Sequence, residues 1–102
     1  MSESMDTDGV DLRDDARFAL RDDLVVEEID DEFLILDLAH NTYFGLNGVA
    51  RRIWEEVQAG RTFKGIVDAI CAEYEVSRRE AAKDVEEFIM KILDQGLATE
   101  LA

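Results

Sequence analysis

The chain has 102 residues, 47% of them hydrophobic, and a formal net charge of −14 from 25 acidic and 11 basic residues. That length supports one domain with a single modest core and excludes a second, catalytic domain. So acidic a balance argues against a nucleic-acid partner held by its phosphates, since that affinity comes from Lys and Arg displacing counterions, and it favours a neutral or basic partner.

Residues 1 to 32 carry 13 acidic and 3 basic residues, so the charge is concentrated at the front. Residues 1–21 read as an acidic, disordered, solubilising tail, from which Phe18 and Leu20 can pack onto a domain spanning 22–102. The first twelve residues bear acids where a signal peptide needs bases, and no apolar run approaches the roughly 18 residues of a membrane span. With one cysteine, Cys71, no intrachain disulfide can form. The expectation is a cytoplasmic protein with no membrane partner.

From Leu24 the chain turns apolar and β-branched. Leu24 to Ile29, Glu32 to Asp37 and Thr42 to Leu46 have strand length and composition, and Asp30-Asp31 sits where a tight hairpin turn belongs. Three such strands predict an antiparallel meander, with the third strand at an edge that neither charge nor proline blunts. The loop from Asp37 to Asn41 leaves the hairpin register open by one residue, so the sequence does not decide which backbone N–H groups of the third strand face outward. Gly45 within that strand reads as a bulge or a close-packed position, with the approach of a ligand as the alternative.

Past Leu46 the apolar period changes from two to about 3.6. Asn47 is suited to cap a first helix ending at Gly60, and Thr62 to cap a second, whose stripe is Phe63, Ile66, Val67, Ile70, Cys71 and Tyr74. Ser77 with Glu80 forms a capping box, Val76 and Ala81 can staple the entry, and a third helix runs to about Gln95 before Gly96. Its apolar residues Phe88, Ala81, Ile92, Val85, Ile89, Ala82 and Leu93 cover roughly 140°, wider than the ~100° that faces a core, which leaves part of the arc for a partner. Leu97 to Leu101 can add a last extended segment. The fold class is α+β, a three-stranded antiparallel sheet followed by three helices.

Catalysis needs convergent groups of several kinds, and this chain offers one histidine, one cysteine and three serines. His40 falls in a turn and reads as solvated; Cys71 falls on an apolar stripe and reads as a small buried hydrophobe. One Cys and one His make no metal site, and acid pairs such as Glu27-Glu28 diverge on a strand. No enzyme, no metal and no cofactor are expected.

Tyr43-Phe44-Gly45-Leu46-Asn47, then Ala50-Arg51-Arg52-Ile53-Trp54-Glu55, Gly60-Arg61-Thr62, and Asp84-Val85 with Phe88 before Gly96-Leu97 form an ordered series that resembles the PqqD-like family. These are RiPP recognition elements, the leader-peptide-binding domains of pathways that modify ribosomally made peptides. The resemblance covers about residues 22 to 99 and does not include the acidic tail. It implies a winged-helix-like fold that has no catalysis of its own. Such a domain binds the leader segment of a precursor peptide as a strand added to the third strand, beside the third helix, and delivers it to a modifying enzyme or leader peptidase. Carried over residue by residue, it puts Thr42, Tyr43, Phe44 and Gly45 on the pairing strand, Val85, Phe88 and Ile92 on the helix wall, and Asp84 and Lys91 on a polar rim. The Tyr-Phe-Gly-Leu-Asn wording departs from members dedicated to pyrroloquinoline quinone and is more similar to stand-alone members serving lasso-peptide leader peptidases.

Two other classes compete. A winged-helix DNA-binding protein needs a basic recognition helix, and Ser77 to Gln95 carries Arg78, Arg79, Lys83 and Lys91 against Glu80, Asp84, Glu86, Glu87 and Asp94, a net −1. A structural module dimerising through the free edge is the other. The expected state is a monomer or weak dimer.

Overall fold

The computed structural model describes residues 12–101. Along the chain run β1 (Phe18–Leu20), β2 (Val25–Ile29), β3 (Glu32–Asp37), β4 (Thr42–Leu46), α1 (Gly48–Gln58), α2 (Phe63–Tyr74), α3 (Arg78–Asp94) and β5 (Ala98–Glu100). β2, β3 and β4 form the expected antiparallel meander in that order, and the strand predicted third is β4. The α+β class and the three helices after the sheet are as the sequence indicates.

Each boundary has a local cause. The two-residue loop Asp30-Asp31 places Asp30 at φ 56°, the sign that primed hairpin turns require at their first position. Asn47, Thr62 and Ser77 cap the helices, their side chains accepting from the backbone N–H of Ala50, Gly65 and Glu80 at 2.9, 3.1 and 3.1 Å. Gly60 and Gly96, at φ 81° and 77°, turn the chain out of α1 and α3.

Two apolar clusters hold the elements together. Ile53 and Val57 of α1, Phe63, Ile66, Val67 and Ile70 of α2, and Ala81, Val85 and Ile89 of α3 pack with Ala16 and Phe18. Phe33 and Ile35 of β3, Trp54, Ile92, Leu97 and Ala98 form the second, which seats the sheet on α1 and α3. Cys71, half-buried on the α2 stripe, donates to the Val76 carbonyl at 3.0 Å. Tyr74 lies at the exposed end of that stripe, 37% accessible, with its hydroxyl 3.4 Å from the Gly48 carbonyl.

The packed structure begins earlier than the sequence suggests. β1 lies ahead of residue 22 and pairs antiparallel with β5, Phe18 opposite Glu100 and Leu20 opposite Ala98, and Phe18 is a core residue. The part of the expected tail before Leu12 lies outside the described residues.

Arg21, just after β1, ties this ribbon to the meander. Its guanidinium grips the buried carboxylate of Asp37, at the end of β3, through two bonds of 2.9 and 3.0 Å, and also Asp23. The Arg21 hydrogen bonds, with a smaller contribution from His40, hold the Asp37 carboxyl down at about 2. A carboxyl depressed below its unfolded value near 3.9 contributes stability that is complete above about pH 4 and is lost as the pH falls toward 2. Asp37→Asn is therefore expected to lower the melting temperature at pH 7, with its deficit against the wild type shrinking between pH 4 and 2. A deficit that stays constant across that window in thermal melts would contradict this account.

Candidate functional site

The meander has two edges, and they differ. β2 carries Glu27 and Glu28 between Asp22-Asp23 and Asp30-Asp31, so charge guards it. β4 carries Thr42, Tyr43, Phe44, Gly45 and Leu46, with no charge and no proline.

The register decides which backbone groups of β4 are free. Ile29 pairs with Glu32 across a two-residue loop, and the adjacent residues Asp30 and Asp31 cannot bond to each other, so Ile29 and Glu32 exchange the ladder bonds themselves. Alternation then turns the backbone groups of Glu32, Leu34 and Leu36 toward β2, and those of Phe33, Ile35 and Asp37 toward β4. Their partners Leu46, Phe44 and Thr42 point inward, and the N–H and C=O groups of Tyr43 and Gly45 point to the open edge. The uncertainty left by the 37–41 loop is thereby removed.

Gly45 sits in an unbroken ladder opposite Leu34, so the expected bulge is not there. Close packing does not explain the glycine either, because a Cβ built on it meets only Leu34 Cδ2, at an ordinary 3.7 Å. Gly45→Ala should leave the fold intact and raise its stability by about 0.4–1 kcal/mol, since it restricts only the unfolded chain. A lower melting temperature would show a constraint at Gly45 that the ladder does not reveal.

Beside the open edge runs a trough. A cleft of about 360 Å³ lies between β4 and α3, with Ile35, Phe44, Trp54, Phe88, Ile92 and Leu97 providing its apolar surface and Lys91 and Gln95 its polar side. A second hollow of about 400 Å³ continues it between α1 and α3, adding Val49, Ile53, Asp84 and Glu87 and sharing Asn47, Ala50, Phe88 and Lys91. The trough is thus apolar at its base, with the acids Asp84 and Glu87 of mid-α3 beside the second hollow and the basic Lys91 bordering both.

Most of the residues anticipated for the site come together here. Tyr43, Phe44, Gly45, Phe88, Lys91 and Ile92 border the first cleft, and Asp84 the second. Thr42 lies on the same strand but borders neither. Val85 does not reach the trough: it is 0% exposed, in the cluster shared with α2. The over-wide α3 stripe divides into a buried spine, Ala81, Val85, Ile89 and Ile92, and half-buried flanks, of which Phe88 faces the trough.

Sequence reasoning missed the floor. Trp54 has an apolar helical position and reads as core, which it is, yet it borders the cleft as well. Its buried Nε1 has no hydrogen-bond partner among the described residues, a situation that costs about 1–3 kcal/mol. Leu46, Asn47 and Ala50 also border the cleft, and their signal was positional: they join the edge strand to the helix that closes its end. Among the described residues no group of three or more His, Cys, Asp or Glu could hold a metal ion, and no helix is long and apolar enough to cross a membrane.

Comparison with known proteins gives the same architecture. TbiB1, solved in complex with the TbiA(beta) leader peptide, is 40% identical, with a TM-score of 0.73 over 81% of this chain and 96% of that one. A lasso peptide synthetase B1 complexed with the leader peptide is 26% identical, with a TM-score of 0.75 over 81% of this chain and 98% of that one. A search of curated protein sequences gives no match. The sequence profile described as coenzyme PQQ synthesis protein D (PqqD) matches residues 32–98, which take in the whole of β3, β4 and the three helices that build the trough. On that match the chain belongs to the PqqD family.

Proposed function

We propose that this protein binds the leader segment of a ribosomally made precursor peptide and presents it to a modifying enzyme or leader peptidase, in a pathway of the lasso type. The observation that carries the reading is the free edge of β4, where the backbone groups of Tyr43 and Gly45 point outward beside an apolar trough. A peptide strand added there gains main-chain hydrogen bonds, and its alternate side chains enter the trough. Both similar structures are complexes with a leader peptide, which supports this choice of ligand.

Roles follow for the individual residues. Tyr43 and Gly45 supply the pairing groups, and Thr42 and Phe44 hold β4 to β3. Phe88 and Ile92 form the apolar wall, while Asp84 at the second hollow and Lys91, which borders both hollows, select charges on the peptide. The protein's own part is recognition and delivery, with the covalent chemistry left to its partner.

A duplex-binding role draws no support from α3, which is net −1 and whose Arg78 is already paired with Asp68. Fluorescence polarisation separates the two. The TbiA(beta) leader, seen in complex with the 40% identical chain, should bind with an affinity that survives added salt, since apolar contacts and backbone pairing carry it. A labelled DNA duplex should not bind. Tight duplex binding that collapses with salt, without peptide binding, would overturn the reading.

A further inference from the structure

The sheet has a second face that neither core covers. Residues paired across the ladder share a face, so Val25, Ile29, Leu34, Leu36 and Tyr43 project from the side opposite Phe33 and Ile35. None of the five belongs to either apolar cluster, and Tyr43 and Ile29 are 70% and 52% exposed. Leu38, at the hairpin tip, is 68% exposed. Exposed acids border this field: Glu27 and Glu32 on the face itself, Asp30 and Asp31 at the β2–β3 turn.

A contiguous apolar face with a charged rim marks a protein interface. Two features identify its occupant. The rim is acidic on a chain of net charge −14, so a second copy would bring like charges together, whereas a protein whose apolar patch is bordered by Lys and Arg would be complementary. The face is also continuous with the β4 edge. A strand added to β4 would extend it, projecting every second side chain beside Tyr43 and Gly45, where glycine leaves the surface open.

We propose that this outer face docks the enzyme that receives the leader, through a basic-rimmed apolar patch on that enzyme, and that the bound leader strand forms part of the docking surface. The proposal rests on the reading of β4 as the leader site. Its consequence is that the enzyme distinguishes the loaded protein from the empty one, because half of the leader's side chains lie in the surface it touches.

The test uses the full chain, the TbiA(beta) leader peptide and a purified leader peptidase that acts on the precursor carrying that leader. The peptidase should bind the wild-type chain, and at least about fivefold more tightly when the leader is present, a coupling within the usual range. Ile29→Asp and, separately, Glu32→Lys should weaken peptidase binding by about tenfold or more while leaving leader affinity unchanged, since neither residue borders the trough. Unaltered peptidase binding by both variants, with normal leader binding, would sink the docking face alone. Peptidase affinity indifferent to the leader would remove the composite surface. A wild-type dimer in sedimentation that Ile29→Asp disperses would assign the face to a second copy instead. Failure of the wild-type chain to bind leader would overturn the β4 reading, and the composite surface with it.

Discussion

Proline at Tyr43 or Gly45 is expected to abolish leader binding in a protein that still folds, and proline at Thr42 or Phe44 to damage the fold itself. Proline removes one backbone donor and fixes φ near −65°, so its effect on a strand depends on where the lost N–H pointed. The Phe44 N–H faces Ile35 across the ladder, and removing it leaves a buried carbonyl unpaired at a cost of about 1–3 kcal/mol. Thr42 stands in the same relation to Asp37. The N–H groups of Tyr43 and Gly45 face the open edge, so the free protein loses no ladder bond there, whereas an added strand loses a partner and meets the proline ring. Leader affinity should fall by more than about tenfold, the equivalent of ~1.4 kcal/mol. Melting temperatures and leader affinities of the four variants check this together. Full affinity in folded Tyr43→Pro and Gly45→Pro would rule out β4 as the pairing edge.

Phe88→Ala and Val85→Ala should separate binding from stability on one helix. Phe88 is half-buried, touches both clusters and borders both parts of the trough. Its truncation is expected to weaken leader binding by about 1–3 kcal/mol, roughly ten- to a hundredfold, with a stability loss smaller than the 3–5 kcal/mol of a fully buried phenylalanine. Val85 is fully buried and away from the trough. Val85→Ala should cost about 1–3 kcal/mol of stability, or some 5–15 °C in melting temperature, while the folded fraction binds leader normally. Trp54 is the sole tryptophan and lies at the cleft, so its emission reports both events without a label. If Val85→Ala lost as much affinity as Phe88→Ala while folded, the division of α3 into spine and wall would be wrong.

The helices were legible in the sequence because each carries its own punctuation. Asn47, Thr62 and Ser77 each bond the N–H three residues on, and Gly60 and Gly96 turn the chain where α1 and α3 stop. The three meander strands were legible for a similar reason, since their partners are near neighbours and the turns between them are short. β1 was not, because three residues give no periodicity and its partner β5 lies about 80 residues further on. What makes Phe18–Leu20 a strand is tertiary, namely the burial of Phe18 against α1 and α2.

The site was legible in its parts and not in its orientation. An unguarded edge can be read from composition, and a wide apolar arc from periodicity. Which groups of that edge point outward depends on hydrogen bonding that begins at the Ile29–Glu32 pair and propagates through β3. The resemblance puts Val85 on the wall with Phe88, and both lie within one apolar arc; the position of α2 decides that one is covered and the other open. The outer face of the sheet is not legible in the sequence for a related reason, since continuous runs such as Phe33 to Leu36 do not announce which alternate residues the core takes.

Strand addition at β4 is tested most directly by residue-resolved amide exchange over Thr42 to Leu46, with and without leader peptide. In the free protein the N–H groups of Thr42, Phe44 and Leu46 should be protected by their bonds to β3, and those of Tyr43 and Gly45 should exchange freely. With leader bound, Tyr43 and Gly45 should slow by at least about tenfold, and the other three should change little. Leader peptide that binds while Tyr43 and Gly45 exchange as fast as before would contradict the account, since the peptide would then be held without pairing to the edge.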